Sequence, residues 1–276
     1  ALNSDGFAQI PEAIAIDSIF AEWNHPDVPG GSVGVMRNGE LIFSKCYGMA
    51  NLDYDIPNSP NTSFEIGSAS KQFTAACIIL LIQRDSLSFE STLHEFFPQF
   101  PDYAKKITVR HLLNHTSGVR DYIYLFVHKG IWLDGDYTDE DIMNLLIRQK
   151  NINFEPGELC SYSNSGYWLL GKIVEKVSRK KLDEFAHDEI FIPLGMNDTR
   201  FNNVSNAVIK NRAIAYVKNE DGEYVTMLHR QNAVGAAGIY TTIENMKKWD
   251  DAFYDSPILH KAFWQMMTSP GMVNNG

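Results

Sequence analysis

Residues 73–82 form the most restrictive stretch of this 276-residue sequence, because every position except Thr74 is apolar. As a helix, the stretch carries apolar side chains on all of its faces, and such a helix must be surrounded by other elements. It is too short to cross a bilayer. A chain of this length with 44% hydrophobic residues can bury a large core. We therefore predict a soluble globular protein, most economically a single domain of residues 1–276.

The patterns before and after this segment predict a mixed fold. Asn38-Gly39 separates apolar runs at residues 32–36 and 40–47, and this dipeptide is a strong hairpin signal. Thr241 with Glu244 predicts the start of a last helix. Other elements are expected as a helix at residues 10–24, helices between residues 87 and 200, and strands at 213–217 and 224–228.

These elements predict an α/β (α+β) fold in which an antiparallel sheet is flanked by helices. Residues 1–70 and 205–276 would form the α/β lobe, and residues 71–204 an all-helical lobe. No internal repeat or low-complexity segment interrupts the pattern.

The composition disfavours several kinds of partner. A formal net charge of -10 argues against nucleic acid, which is bound mainly by lysine and arginine. Cys46, Cys77 and Cys160 are odd in number and widely spaced, so neither a disulfide framework nor a CxxC site is indicated. No basic region followed by an apolar one opens the chain, and any signal peptide is expected to have been removed or never present.

Two histidines could be taken for metal ligands. His111 and His115 stand four apart on a predicted helix, but no glutamate occupies the H-E-x-x-H position and no third ligand is evident. Such a pair is more often structural, so no metal is predicted. We likewise expect Cys160 to be a packed thiol rather than a nucleophile.

Ser68 and Lys71 stand three apart at the start of the apolar helix, so the hydroxyl and the amine lie within reach of each other. A serine hydroxyl becomes a good nucleophile only beside a group that takes its proton. Burial against an apolar helix lowers the pKa of a lysine and favours this role. Alone, however, S-x-x-K is a weak motif, and a capping serine beside a solvated lysine is the better explanation of these four residues.

A second motif changes this balance. Tyr162-Ser-Asn164 follows the turn residues Pro156-Gly157 and precedes a predicted helix, where a phenol and an amide can project into a cleft. An aromatic core anchor followed by a helix cap is the alternative interpretation.

Together the two motifs resemble those of the serine penicillin-recognising enzymes, which include class C β-lactamases, D-alanyl-D-alanine carboxypeptidases and β-lactamase-like esterases. Further segments occur in the order of that family: Leu112-Leu-Asn-His-Thr-Ser-Gly118, Phe154-Glu-Pro-Gly157, Pro193-Leu-Gly-Met196 and Ala236-Ala-Gly238. The resemblance covers most of the chain. It implies the β-lactamase/transpeptidase-like fold, with the site between an α/β lobe and an all-helical lobe.

The resemblance also implies a role for each residue of the two motifs. Ser68 corresponds to the acylated nucleophile, Lys71 to its activating amine, and Tyr162 to the general base that later serves the leaving group as acid. Asn164 would bind the substrate and orient Lys71. The expected partner is a small-molecule or peptide substrate, namely a D-alanyl peptide, a β-lactam or a small ester. Neither a metal nor an organic cofactor is required, and an extracytoplasmic location is implied.

One family motif is absent from the sequence. Members carry Lys-Thr-Gly or His-x-Gly on a strand near the C-terminus, and neither is found after Ala237-Gly238 in this chain. We expect the C-terminal strands to be missing and this form to be weakly active or inactive, since one lost oxyanion donor costs about 3 to 4 kcal/mol. The alternative is a non-catalytic binding or assembly protein with the same fold.

Overall fold

The computed structural model describes residues 12–131, 135, 137–204, 206–227 and 233–274. Its helices are α1 (Ala13–Ile19), α2 (Lys71–Gln83), α3 (Leu93–Phe96), α4 (Val109–Leu113), α5 (Tyr122–His128), α6 (Asp139–Ile147), α7 (Asn164–Ser178), α8 (Leu182–Ala186), α9 (Ile243–Asp251) and α10 (Lys261–Met267). Its strands are β1 (Gly31–Arg37), β2 (Glu40–Tyr47), β3 (Met49–Asn51), β4 (Ile56–Pro57), β5 (Phe64–Glu65), β6 (Arg200–Phe201), β7 (Tyr216–Lys218), β8 (Tyr224–Thr226) and β9 (Ile239–Thr241).

The predicted N-terminal hairpin is confirmed. Asn38 and Gly39 have φ values of 53° and 80°, the left-handed pair that a two-residue type I′ turn requires. Strands β1 and β2 pair antiparallel on either side of this turn, with one irregularity between Val35 and Met36. The helix predicted at residues 10–24 is shorter than expected. It is α1 followed by a 3-10 turn at Ala21–Trp23, and residues 10 and 11 lie outside the described residues.

The strands of the described residues form four short antiparallel sheets instead of one continuous sheet. Strand β9 lies between β5 and β6, pairing Thr241 with Phe64 and Tyr240 with Arg200. The strands predicted at 213–217 and 224–228 are the shorter β7 and β8, which pair on either side of Asp221-Gly222; Leu228 lies outside the described residues. The mixed α/β class is confirmed, while the boundaries of the two lobes stay a prediction.

Helix α2 is buried on all sides, as its apolar pattern predicts. Every residue from Phe73 to Leu81 is buried, and the helix packs against α7, α8 and α10. The ring of Phe73 lies 4.5 Å from that of Trp249 and 5.5 Å from that of Phe191, measured between ring centroids. Since no face of α2 is solvated, the residues at its N-terminal end are attached to a rigid element.

Threonines cap both α6 and α9. Thr138 and Asp141 form a capping box at the start of α6. At α9, however, the cap is Thr242 rather than Thr241: the Oγ1 of Thr242 accepts the N–H of Asn245 at 3.3 Å. Thr241 belongs to β9, where its hydroxyl lies 2.7 Å from that of Thr199. Two consecutive threonines are equally suitable caps, and only the pairing of β9 distinguishes them.

Helix α10, which the sequence patterns did not predict, follows α9 and packs on α2. None of the helices in the described part of the chain is long and apolar enough to cross a membrane.

Candidate active site

Ser68 lies in a 3-10 turn, Gly67–Ser70, that leads directly into α2. The sequence predicted Ser68 at the start of the helix itself, but the α-helix begins only at Lys71, after the 3-10 turn. Two backbone contacts fix this turn against β9: the N–H of Ile66 bonds the carbonyl of Ile239 at 3.0 Å, and the N–H of Ile239 bonds the Oγ of Ser70 at 3.0 Å. Ser68 is exposed, so its hydroxyl is accessible on a fixed support.

Lys71, the first residue of α2, is 7% exposed and has an acceptor for each proton of its ammonium group. Its Nζ lies 3.2 Å from the Oγ of Ser68, 2.9 Å from the Oδ1 of Asn164 and 2.7 Å from the carbonyl oxygen of Ala236. These acceptors come from its own turn, the start of α7 and the loop before β9. The amine is therefore held in one position.

The pKa of Lys71 is lowered, and burial is the largest cause. A hydrogen bond and the charge of Tyr162, followed by the charge of Asp121, act in the opposite direction. The balance leaves the amine easier to deprotonate than an ordinary lysine, and perturbed groups of this kind are typical of functional sites.

Tyr162 reaches Ser68 from the other side. Its phenol donates to the Oγ of Ser68 at 2.8 Å, and the Nζ of Lys71 lies 4.7 Å from the centroid of its ring. The side chain is half exposed, at 53%, and lies along a cleft of about 310 Å³. The cleft is lined by residues of α5, of the loop before it and of the loop before α7, including Val119, Tyr124, Asn153, Phe154 and Ser161.

His115 packs against Tyr162 and holds the backbone beside it. The two rings lie 4.6 Å apart, and the Nδ1 of His115 accepts the N–H of Ser163 at 3.1 Å. An accepting Nδ1 requires the neutral ring with its proton on Nε2. The pKa of His115 is lowered, first by burial and then by the charge of Lys71. Burial and charge therefore both favour the form that holds the Ser163 backbone.

The second histidine of the predicted pair has a different role. The Nδ1 of His111 lies 3.1 Å from both the N–H and the hydroxyl of Thr108, at the start of α4. Within the part of the chain that the structure describes, no group of three or more His, Cys, Asp or Glu side chains is placed to hold a metal ion. Cys160 is exposed rather than packed, since it lies in the solvated loop before Tyr162, and its Sγ approaches the carbonyl of Asn114 at 3.6 Å.

Asn164 is the first residue of α7, and it is held by a residue that the sequence did not single out. The Oδ2 of Asp121 accepts the backbone N–H of Asn164 at 2.6 Å and its side-chain N–H at 3.0 Å. The other oxygen of Asp121 caps α5 through the N–H of Ile123 at 2.8 Å. Only this capping role, an aspartate just before an apolar helix, could have been recognised from the sequence.

The loop that carries His115 and Asp121 is joined to the first turn of α7 and to the loop that precedes this helix. The hydroxyl of Ser165 donates to the carbonyl of Arg120 at 2.7 Å and accepts the N–H of Tyr122 at 2.8 Å. Gly118 (φ 70°) accepts the N–H of Asn153 at 2.8 Å. The segment Leu112-Leu-Asn-His-Thr-Ser-Gly118 therefore helps to position the residues of the second motif.

The loop before β9 closes the site behind Lys71. The hydroxyl of Thr74, one turn along α2, donates to the carbonyl of Gly235 at 2.8 Å. Gly235 has a φ of 114°, and a Cβ there would lie 2.8 Å from the carbonyl oxygen of Tyr167 in α7. Glycine is thus required for the loop to pass between the two helices and present the Ala236 carbonyl to Lys71.

The structure therefore brings Ser68, Lys71, Tyr162 and Asn164 into one hydrogen-bonded cluster, and adds Asp121, His115 and the Ala236 carbonyl to it. The cluster places a hydroxyl between an amine and a phenol, at the edge of a cleft. This arrangement can transfer the hydroxyl proton to a neighbour and present the oxygen to an electrophilic carbon.

Comparison with known proteins gives a consistent picture. A family model described as Beta-lactamase matches residues 16–273. Penicillin-binding protein 4* of Bacillus subtilis (strain 168) is 33% identical over 262 residues, covering 89% of this chain and 57% of that protein. D-aminopeptidase of Brucella melitensis biotype 1 is 29% identical over 248 residues, which is 90% of this chain and 47% of that protein. The chain thus spans about half the length of these relatives.

Among solved structures, the octameric penicillin-binding protein homologue from Pyrococcus abyssi superposes with a TM-score of 0.81 at 28% identity. The alignment covers 94% of this chain and 60% of that chain.

Proposed function

Because the chain belongs to the beta-lactamase family, we propose that it is a serine acyl hydrolase in which Ser68 attacks the carbonyl carbon of an amide, ester or lactam. One observation carries the proposal. The Oγ of Ser68 lies 3.2 Å from a buried amine and 2.8 Å from a phenol, so two titratable groups flank a single exposed hydroxyl.

We assign the first proton transfer to Tyr162. Lys71 in its ammonium form has no lone pair to accept a proton, and its three protons already have acceptors. The phenol oxygen of Tyr162, as phenolate, takes the Ser68 proton while the Oγ forms a bond to the carbonyl carbon. The Lys71 cation beside the ring stabilises the phenolate.

The later steps return the same proton. When the tetrahedral adduct collapses, the C–N or C–O bond to the leaving group breaks and Tyr162 donates its proton to that group. An acyl ester on Ser68 remains. Water then adds to the ester carbonyl, the bond to the Ser68 Oγ breaks, and the acid leaves with the serine hydroxyl restored. The backbone N–H of Ser68 is the oxyanion donor that we assign to this chain.

For the substrate we propose a D-alanyl peptide or another D-amino-acid amide, with β-lactams and small esters as further acyl donors. This choice follows the names of the relatives, a penicillin-binding protein and a D-aminopeptidase. In addition to its bond to Lys71, Asn164 would bind the acyl group of the substrate. An enzyme of D-alanyl peptides would work outside the cytoplasm, which is the location we propose.

The deciding experiment is acylation of Ser68. The protein is incubated with benzylpenicillin or a fluorophosphonate, and the adduct is read by intact mass and peptide mapping. We expect one adduct on Ser68, none in Ser68→Ala, and a normal adduct in Ser86→Ala, which changes an exposed serine away from the site. An intact Ser68 under conditions that acylate a family enzyme would instead favour the alternative, a non-catalytic binding or assembly protein with the same fold.

A further inference from the structure

Asp121 is a buried carboxylate whose neighbours are all N–H donors. It is 7% exposed, and its two oxygens accept the N–H of Ile123, the backbone N–H of Asn164 and the side-chain N–H of Asn164, at 2.8, 2.6 and 3.0 Å. None of the ion pairs formed by the described residues involves it. A buried charge held only by amides is costly unless the amides are fixed around it.

Only one orientation of the Asn164 side-chain amide satisfies both of its neighbours. The carboxylate of Asp121 can only accept hydrogen bonds, and the ammonium of Lys71 can only donate them. The side-chain nitrogen of Asn164 must therefore face Asp121 at 3.0 Å, and its oxygen must face Lys71 at 2.9 Å. A reversed amide would bring two donors together at Lys71 and two acceptors together at Asp121.

We propose that Asp121 is a positioning residue for Lys71. It locks the amide of Asn164 in the orientation that offers an oxygen to the amine, and so fixes the amine 3.2 Å from the Ser68 hydroxyl. The proposal rests on the proposed function, in which Ser68 reacts and Lys71 assists it. It assigns a role to a residue outside the two motifs, supplied by the loop before α5.

The charge of Asp121 has a second consequence for the amine. Burial lowers the pKa of Lys71, whereas Tyr162 and Asp121 raise it. The other titratable groups around Lys71 are His115, which lies close enough for the amine to lower its pKa, and Tyr167, whose ring centroid is 5.7 Å from the Nζ. Since the negative charge of Asp121 raises the pKa of Lys71, removing this carboxylate is expected to lower that pKa further.

Asp121→Ser separates positioning from helix capping. Serine is as good a cap as aspartate, so it keeps the contact to Ile123 and the start of α5. Its side chain is shorter and uncharged, and it does not reach Asn164. Asp121→Asn is the second variant: it keeps the size, but with only one oxygen it must turn an NH₂ group toward either Ile123 or Asn164. Thr138→Ala removes a comparable cap on a different helix, α6, and serves as the control.

Each variant is measured in three ways: its melting temperature, the kcat/KM for an acyl substrate as a function of pH, and the titration of Lys71. The titration follows the ¹³Cε resonance of labelled lysine, assigned by its loss in Lys71→Arg. We expect Asp121→Ser to keep α5 but to melt below the wild type, because two N–H groups of Asn164 lose their acceptor. It should lose about 100-fold in kcat/KM. Both the Lys71 titration and the kinetic limb that depends on Lys71 should shift to lower pH. Thr138→Ala is expected to lose stability but to keep its kcat/KM.

The outcomes separate the two proposals. Wild-type rates and an unchanged Lys71 titration in Asp121→Ser would overturn the role of Asp121 while leaving Ser68 acylation intact. If wild-type Ser68 is never acylated, the proposed function fails, but the Lys71 titration still shows whether Asp121 governs the amine. If Asp121→Ser fails to fold, the same titration in Asp121→Asn decides.

Discussion

Gly118 offers the sharpest test of how the loops support the site. Its φ is 70°, in the left-handed region, and a Cβ at this position would lie 2.0 Å from the carbonyl oxygen of Phe154. That oxygen belongs to the backbone and cannot rotate away. Gly118→Ala must therefore adopt a strained φ and also push apart the two loops that position Tyr162 and Asn164.

The control for this substitution is Gly130→Ala. Gly130 has a φ of 81°, but a Cβ there would meet no atom of the described residues within 4 Å. Left-handed conformation costs a non-glycine residue about 1–2 kcal/mol, which both variants share. Overpacking adds about 1–3 kcal/mol for Gly118→Ala alone. For a protein of this size, each kcal/mol lowers the melting temperature by about 2 °C.

We therefore expect Gly130→Ala to melt about 2–4 °C below the wild type, and Gly118→Ala about 4–10 °C below it. Differential scanning calorimetry measures both values. Because the contact separates the loops of the site, Gly118→Ala is also expected to slow acylation of Ser68, and Gly130→Ala is not. Equal melting temperatures for the two variants would refute the contact between Gly118 and Phe154 as the cause.

Three other predictions concern single side chains of the site and its surroundings. Tyr162→Phe should lower the acylation rate about 10²- to 10⁴-fold, as expected for loss of a general base. Its melting temperature should change little, because the half-exposed ring still packs on His115. A rate near that of the wild type would exclude Tyr162 as the base. The pKa of His115 is lowered in the folded protein, so the unfolded state binds more protons and stability falls as the pH drops below about 6.5. The free energy of unfolding, measured with urea, should fall less between pH ~7.5 and pH ~5 in His115→Asn than in the wild type. Asparagine is the replacement because it tolerates the left-handed φ of 59° at this position. The same fall in both proteins would show that His115 is not the group responsible. The exposed Cys160 should react with Ellman's reagent in the folded protein. Cys77 is fully buried and its pKa is raised, so it should react only after unfolding. Rapid labelling of Cys77 at neutral pH would show that α2 is accessible.

The features that sequence predicted well are those that neighbouring residues determine. The Asn38-Gly39 turn needs only two residues able to adopt positive φ, and the burial of α2 follows from apolar side chains on all of its faces. The cap of α9 was misplaced by one residue, because Thr241 is committed to β9 by its pairing with Phe64, far away in the sequence. Local propensity contains no information about that pairing.

The candidate site divides in the same way. Ser68 and Lys71 are three residues apart, and their proximity follows from helical geometry. Asp121 meets Asn164 across 43 residues, and Ala236 meets Lys71 across 165. Nothing in the sequence near Asp121 indicates Asn164, so its capping pattern was visible while its second contact was not. Contacts made by backbone carbonyls, such as that of Ala236, are the least predictable, since every residue carries one.

The three acceptors of Lys71 explain why the site needs a buried helix as its base. The ammonium is bonded to its own turn, to α7 and to the loop before β9, so its position depends on how these three segments pack. A charged group 7% exposed is tolerated only when its hydrogen bonds are complete. The complete set of acceptors offsets the desolvation of the amine, and α2, with no solvated face, keeps the amine from moving out to water. The same burial that makes Lys71 costly to accommodate also lowers its pKa, so the apolar segment at residues 73–82 contributes both to the fold and to the electrostatics of the site.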